Sequence, residues 1–228
     1  PHLYAICCHG YSGQPQDMAK YAHRFARLGF TVLVPALRGH GLSEGRYAGM
    51  GWLDRRDLMR WISLIIDSDA DARILLQGKS MGAAAVMMTV GEPDLPRNVV
   101  AAVEDCGYAS VGQQFIDCAR SMFHLPKFLA KPIVTTMGAI ARRRAGYGFQ
   151  EASCVEQLKH ATIPMLFIHG GADDFVPSRA LDENFDACAS IDRQKLLIPS
   201  AGHSMSASTA PVVYWKTVTN FVTRVFGL

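Results

Sequence analysis

The sequence predicts an α/β protein: a mostly parallel, doubly wound sheet with helices on both faces and a helical cap inserted in its second half. Three observations carry this. Short apolar runs of strand length alternate with helical patterns from Leu3 to Phe226. Two of those runs, Phe30–Val34 and Pro164–His169, are apolar at nearly every position, as in strands covered on both faces. Residues 110–160 break the alternation, being mostly helical with no clear strand.

The elements follow in order. Leu3–Cys8 is a strand, ending in His9-Gly10-Tyr11-Ser12-Gly13. Gln16–Leu28 has Met18, Tyr21, Ala22, Phe25 and Leu28 at helical spacing and stops at Gly29. The strand Phe30–Val34 ends at Pro35 and leads into the loop Arg38-Gly39-His40-Gly41-Leu42-Ser43-Glu44-Gly45. That loop is no dinucleotide fingerprint, because Glu44 stands where the last glycine is needed. A helix follows over Gly51–Ile66, then the strand Arg73–Gln77 and an Ala- and Met-rich helix over Ser80–Val90. Val99–Glu104 is the next strand. After the cap come the strand Pro164–His169, the helix Ser178–Ala189, the strand Gln194–Ile198 and a closing helix over Pro211–Phe226.

Between strand and helix lies Gly78-Lys79-Ser80-Met81-Gly82, which fits Gly-x-Ser-x-Gly. A strand that reverses into a helix within about one residue holds its apical serine in a strained conformation at the sheet's edge. The next N–H, that of Met81, opens the helix and is free to stabilise a negative oxygen. The phosphate-loop reading of Gly78-Lys79-Ser80 fails because Arg73 stands where that motif needs glycine. Ser80 is therefore the expected nucleophile.

In such sheets, reactive groups gather where strands end. A serine hydroxyl needs a base to take its proton, and the base needs a carboxylate to hold its tautomer. His203, in a Gly-His loop after the last strand, is the expected base. The acid is Asp173 or Asp174, with Asp173 preferred and its neighbour free to cap the following turn. The second oxyanion donor is expected from the loop after the first strand, the Tyr11 N–H beside that of Met81. His9, His40 and His169 sit in glycine loops without metal-ligand partners at suitable spacing and read as loop-shaping residues. Neither a metal nor an organic cofactor is expected.

Composition sets bounds. At 228 residues, 49% hydrophobic and 19% charged, one α/β domain over 1–228 with a cap at 110–160 is expected. A net charge of +3 is too mild and too evenly spread to imply a nucleic-acid partner, and none is expected. Arg142-Arg143-Arg144 reads as a solvated face before a membrane-surface contact. No run approaches a membrane span. The six cysteines form no Cys-x-x-Cys pair and read as small buried residues rather than zinc ligands or a disulfide framework. The chain starts at Pro1 and enters a strand within three residues, so its numbering is expected to begin inside a longer protein. A hydrophobic segment upstream would make the enzyme membrane-anchored and extracytoplasmic; without one the expectation is cytoplasmic.

Together these motifs resemble the α/β-hydrolase superfamily: His9-Gly10, Arg38-Gly39-His40-Gly41-x-Ser43, the Ser80 elbow, His169-Gly170-x-x-Asp173-x-x-Val176-Pro177, and Gly202-His203. The likeness runs from near Leu3 to near Phe226, apart from the cap. Within the superfamily the chain looks like bacterial serine hydrolases of the esterase and prolyl-oligopeptidase-like branch. The resemblance implies that Asp173 is the acid. The family sheet usually has two further strands before the first one here, and Lys79 is an unusual charge beside the nucleophile, facing a neighbouring loop or a substrate carboxylate.

The activity this implies is hydrolysis of a small-molecule ester or acyl substrate through an acyl-enzyme, with the cap's Met, Phe and Leu forming an apolar pocket. Amide or peptide cleavage by the same triad is the second reading. A non-catalytic binding protein is the third, disfavoured because all three triad members are present. A serine nucleophile excludes a dehalogenase, which needs Asp, and a dienelactone-type hydrolase, which needs Cys.

Overall fold

Segments such as LYAICC and MLFIHG have no polar face, so the strands they form must be covered on both sides. A computed structural model describes residues 2–228 and shows how. Among the described residues, β1 (Leu3–Cys8), β2 (Thr31–Leu33), β3 (Arg73–Lys79), β4 (Val99–Asp105), β5 (Met165–Gly170) and β6 (Arg193–Ile198) form one sheet in the order β2-β1-β3-β4-β5-β6. Every neighbouring pair is parallel. The chain runs outward from β1 to β2, then crosses back to β3. The crevice at that reversal, above the carboxyl ends of β1 and β3, is where open sheets of this kind bind ligands.

Alternate side chains on each strand serve two cores. On one face Ile6, Ile74, Leu76 and Phe167 pack under α2 (Asp54–Ser68), α3 (Met81–Thr89), α6 (Cys154–Leu158) and α7 (Arg179–Ala187). On the other, Leu75, Val103 and Leu166 pack under α1 (Ala19–Arg27) and α9 (Pro211–Phe226). Each such side chain contributes about 1.5–3 kcal/mol through burial.

α3 is the central helix, and all nine of its residues are buried. Its small residues allow a close approach to the sheet. A Cβ on Gly82 would collide with the Cys8 carbonyl, and one on Gly78 with the Gly82 carbonyl. Both glycines are therefore required by proximity rather than by an unusual φ.

Residues 110–160, where the sequence predicts a cap, form α4 (Val111–Phe123), α5 (Lys127–Ala145) and α6. α6 packs into the core, so the excursion from the sheet is the α4–α5 hairpin. Its two ends are clasped by a Ser110–Ser153 antiparallel bridge and by the N–H groups of Val111 and Cys154, which donate to Ala152 and Ala109 at 2.9 Å each. Gln114 Nε2 donates to the Phe175 carbonyl at 2.8 Å, tying α4 to the loop after β5.

Several element boundaries differ from the sequence expectation. The single helix expected over Gln16–Leu28 is a 3-10 turn (Pro15–Met18) followed by α1, because Pro15 opens the turn and Asp17 accepts from the Gln14 N–H. The helix expected from Gly51 begins at Asp54, whose carboxylate accepts from the Gly51 N–H at 2.8 Å, and it runs on to Ser68. β2 is three residues long against five expected, as befits an edge strand ending near Pro35. β3 continues through Lys79, carrying the elbow glycine within the sheet. The short helix α8 (Ser206–Thr209) was not anticipated.

Gly82→Ala is expected to destabilise the protein by about 2–4 kcal/mol, since backbone must move to admit the methyl group. Gly202→Ala, whose Cβ would meet nothing nearer than 4.0 Å, is the matched control and should change the urea midpoint little.

Candidate active site

At the end of β3 the chain turns directly into α3, and Ser80 sits at the turn with φ 55° and ψ −118°. A residue with a Cβ adopts this region only when its surroundings impose it, at a cost of about 1–3 kcal/mol. The surroundings here are the Ser80 N–H, which donates to Asp105 at 2.8 Å, and the Ala84 N–H, which donates to the Ser80 carbonyl at 3.0 Å.

From that position the Ser80 hydroxyl reaches His203 Nε2 at 2.8 Å, and His203 Nδ1 reaches Asp173 Oδ2 at 2.8 Å. The three groups come from the ends of β3, β6 and β5, and the structure brings all three predicted side chains together. The Asp173/Asp174 ambiguity has a geometric answer. Asp173 is buried, whereas Asp174 is exposed and without a hydrogen-bond partner among the described residues. Asp173 also makes the turn that Asp174 was free to make: its Oδ1 accepts from the Phe175 and Val176 N–H groups at 3.0 and 2.8 Å.

His169 does more than the sequence reading assigned to it. Its Nε2 donates to the Val176 carbonyl at 3.0 Å and lies 3.4 Å from Asp173 Oδ2, so the carboxylate is flanked by two imidazoles. Burial works to raise the Asp173 carboxyl, yet the adjacent imidazoles of His169 and His203 outweigh it and hold the group well below the usual carboxylate range. Burial likewise works against charge on His169, but the neighbouring Asp173 and Glu104 carboxyls raise it overall. The signal was present in the sequence: a histidine closing β5, four residues before the acid.

Glu104 lies fully buried on the same face of the sheet. Its Oε2 accepts from the Gly107 N–H at 3.0 Å, while its Oε1 and the His169 Nδ1 are buried without partners. Burial, opposed by His169, pushes this carboxyl from 4.5 to about 8.

The loop after β1 is fixed by the other two histidines, as expected. His9 Nδ1 donates to the Gly10 carbonyl at 2.8 Å, and its Nε2 accepts from the Leu37 N–H at 3.0 Å. His40 binds the Arg38 carbonyl at 2.9 Å and accepts from the Ser12 N–H at 3.1 Å. This staple holds Gly10 so close that a Cβ there would lie 3.3 Å from that of Ser80. The N–H groups of Tyr11 and Met81 have no acceptor among the described residues.

Beside Ser80 opens a cavity of about 470 Å³. Its walls include Tyr47, Met50, Tyr108, Phe115, Met137 and Phe149, drawn from the cap, the loop after β4 and the loop before α2. A larger cleft of about 690 Å³, lined by α4, α5 and residues 148–156, contains none of Ser80, His203 and Asp173. Lys79 is not a wall of the Ser80 cavity. It lies on the α1 side of the sheet, where after burial its charge is among the causes that lower Lys20.

Cys106, behind the triad, brings its sulfur within 4.8 Å of ligand atoms on Asp173 and His203. These residues make a poor metal site. Both His203 nitrogens are engaged, and burial pushes the Cys106 thiol well above its normal range, which keeps it protonated. All six cysteines are unpaired, and five are buried.

The family Hydrolase_4 (serine aminopeptidase, S33) matches residues 1–138. The uncharacterized protein YqkD of Bacillus subtilis is 26% identical over 218 residues, which are 95% of this chain and 70% of that protein. Rv2307c of Mycobacterium tuberculosis is 28% identical over 201 residues, covering 87% of this chain and 62% of that protein. In structure, the Pyrococcus furiosus esterase Pf2001 superimposes with a TM-score of 0.78 at 19% identity, covering 98% of this chain and 83% of that one. That likeness is one of fold.

The buried Glu104 predicts a pH effect on stability. Between pH 4.5 and about 8 the folded protein keeps a proton on Glu104 that the unfolded chain has released. Stability therefore falls as pH rises through this window and levels off above it. Glu104→Gln, which cannot titrate, is expected to flatten the decline in urea midpoints measured below, within and above the window. An unchanged slope would contradict the assignment.

Proposed function

The chain belongs to the Hydrolase_4 family (serine aminopeptidase, S33) of α/β-hydrolases, and on that premise we propose that it is a serine carboxylesterase acting through an acyl-enzyme. The observation that carries this reading is the unbroken hydrogen-bond chain Ser80–His203–Asp173 at the mouth of an apolar cavity. Ser80 Oγ attacks the ester carbonyl carbon while His203 Nε2 takes its proton. The resulting oxyanion is held by the free N–H groups of Tyr11 and Met81. The C–O bond to the alcohol then breaks as His203 returns the proton to the leaving oxygen. Water, activated by the same histidine, releases the acid and restores Ser80. Asp173 stays ionised, fixing the tautomer and balancing the imidazolium charge. The route calls for no metal or organic cofactor.

The family's description raises peptide cleavage as the second reading, as does the prolyl-oligopeptidase-like branch that the motifs resemble. One feature of the cavity favours the ester. An aminopeptidase must neutralise its substrate's terminal ammonium, and no Asp or Glu is among the cavity's lining residues. The charged side chain there is Arg144, which repels an ammonium. The apolar wall instead suits a hydrocarbon acyl chain.

A series of p-nitrophenyl esters tests the proposal. We expect kcat/KM to rise by roughly fourfold per added methylene from acetyl to octanoyl, the gain set by burying each CH₂. Ser80→Ala should lose at least about 10⁴-fold in kcat. Faster turnover of aminoacyl anilides than of any ester would favour the peptidase instead.

A further inference from the structure

The cap carries an apolar surface that extends beyond the cavity wall. On α5, Leu129, Ile133, Met137 and Ile140 recur at spacings of four, four and three, so they share one side of the helix, and all four are exposed. The flank next to it, Ala130, Val134 and Gly138, is the buried one. Met122 and Phe123 at the end of α4 and Phe128 in the first turn of α5 add exposed apolar surface at the cap's tip, with Phe128 75% exposed. At the other end Met137 and Ile140 are also walls of the Ser80 cavity. The stripe thus runs along α5 from Leu129 to Met137 and Ile140 at the active-site mouth. Isolated exposed apolar residues are ordinary; seven on one helical hairpin, four of them on one side of α5, mark a contact surface.

Charge identifies what it contacts. α5 contains five cations, Lys127, Lys131, Arg142, Arg143 and Arg144, and no carboxylate. The whole chain has a net charge of only +3, so the remainder is net negative. Of the five, Arg142 alone pairs with a carboxylate among the described residues, Glu151 at 3.4 Å. A basic helix with an unpartnered apolar side fits the plane of an anionic lipid surface, its side chains in the acyl boundary and its cations among the headgroups. A second copy of this chain is a poor occupant, since a two-fold contact through this face would oppose two acid-free cationic helices. Among the described residues no helix is long and apolar enough to cross a membrane, so this contact is one of lying on the surface.

We propose that the α5 face is a docking surface for anionic phospholipid bilayers, holding the mouth of the Ser80 cavity against the lipid. Docking concerns binding rather than turnover, so it can be read on the Ser80→Ala protein as well, and failure of hydrolysis is separable from failure of docking.

The test is co-sedimentation with vesicles of phosphatidylcholine alone and of phosphatidylcholine with phosphatidylglycerol, at low and high salt. Strong partition is expected onto the phosphatidylglycerol vesicles and weak partition onto phosphatidylcholine, with the difference shrinking as salt screens it. Lys127→Gln/Lys131→Gln/Arg143→Gln should weaken partition by about 100-fold, roughly fivefold per cation. Phe128→Ser/Leu129→Ser/Ile133→Ser should abolish it, whereas Leu64→Ser, an exposed apolar residue on α2, should leave it unchanged. All these positions are exposed, so the fold should survive, with circular dichroism as the check. Equal binding to both vesicles, binding to neither, or variants that bind like the parent would overturn the proposal. So would a dimer in sedimentation equilibrium that the three serine substitutions dissociate, because a second copy would then cover the face.

Discussion

The distance between α3 and the ends of β1 and β3 is the constraint on which the rest depends. Two positions without a side chain, Gly78 and Gly82, let the helix backbone press against the Cys8 carbonyl and let the strand press against the helix's first turn. This contact leaves no room for an ordinary strand-to-helix loop, so Ser80 is forced to positive φ. The strain presents its hydroxyl at the sheet's edge and leaves the Met81 N–H free beside it. An all-buried core helix is the structural cost: it can bear no polar face, and its nine residues are Met, Gly, Ala, Val and one Thr. That threonine satisfies its hydroxyl on the Ala85 carbonyl at 2.7 Å.

A second constraint is electrostatic. A buried carboxylate is unstable unless its oxygens are occupied, and Asp173 is occupied on both: two backbone N–H groups on Oδ1, two imidazoles on Oδ2. The acid loop is in turn tied to the cap through Gln114 and the Arg179–Asp117 ion pair. The groups positioned for chemistry and the wall of the cavity are therefore parts of one framework. A shift of α4 would be felt at Phe175, whose ring lies 5.0 Å from that of His203.

Much of this was legible in the residues. Alternation of apolar runs and helical patterns gave the parallel sheet, because strands covered on both faces, such as β1 and β5, are apolar at nearly every position. The elbow was legible because close approach admits only glycine at two fixed offsets from the serine. Other features depend on tertiary contacts that leave no local trace. Asp173 and Asp174 are the same residue type side by side, and only the direction of the turn after β5 buries one and exposes the other. His169 looked like His9 and His40, glycine-loop histidines that staple backbone, until the fold set it against the acid. The cap's Met, Phe and Leu residues read as pocket lining. Met137, Ile140 and Phe115 do line the pocket, but Phe128, Leu129 and Ile133 face outward. Periodicity reveals an apolar side of a helix without saying what covers it.

The central claim is that this geometry makes Ser80 an activated nucleophile, and covalent labelling tests it without any assumption about the substrate. The chain, Ser80→Ala and His203→Ala would each be exposed to a fluorophosphonate and weighed intact. A single adduct on the parent chain, none on Ser80→Ala and a strongly slowed one on His203→Ala is the predicted result. An unlabelled parent chain, or an adduct that persists on Ser80→Ala, would contradict it.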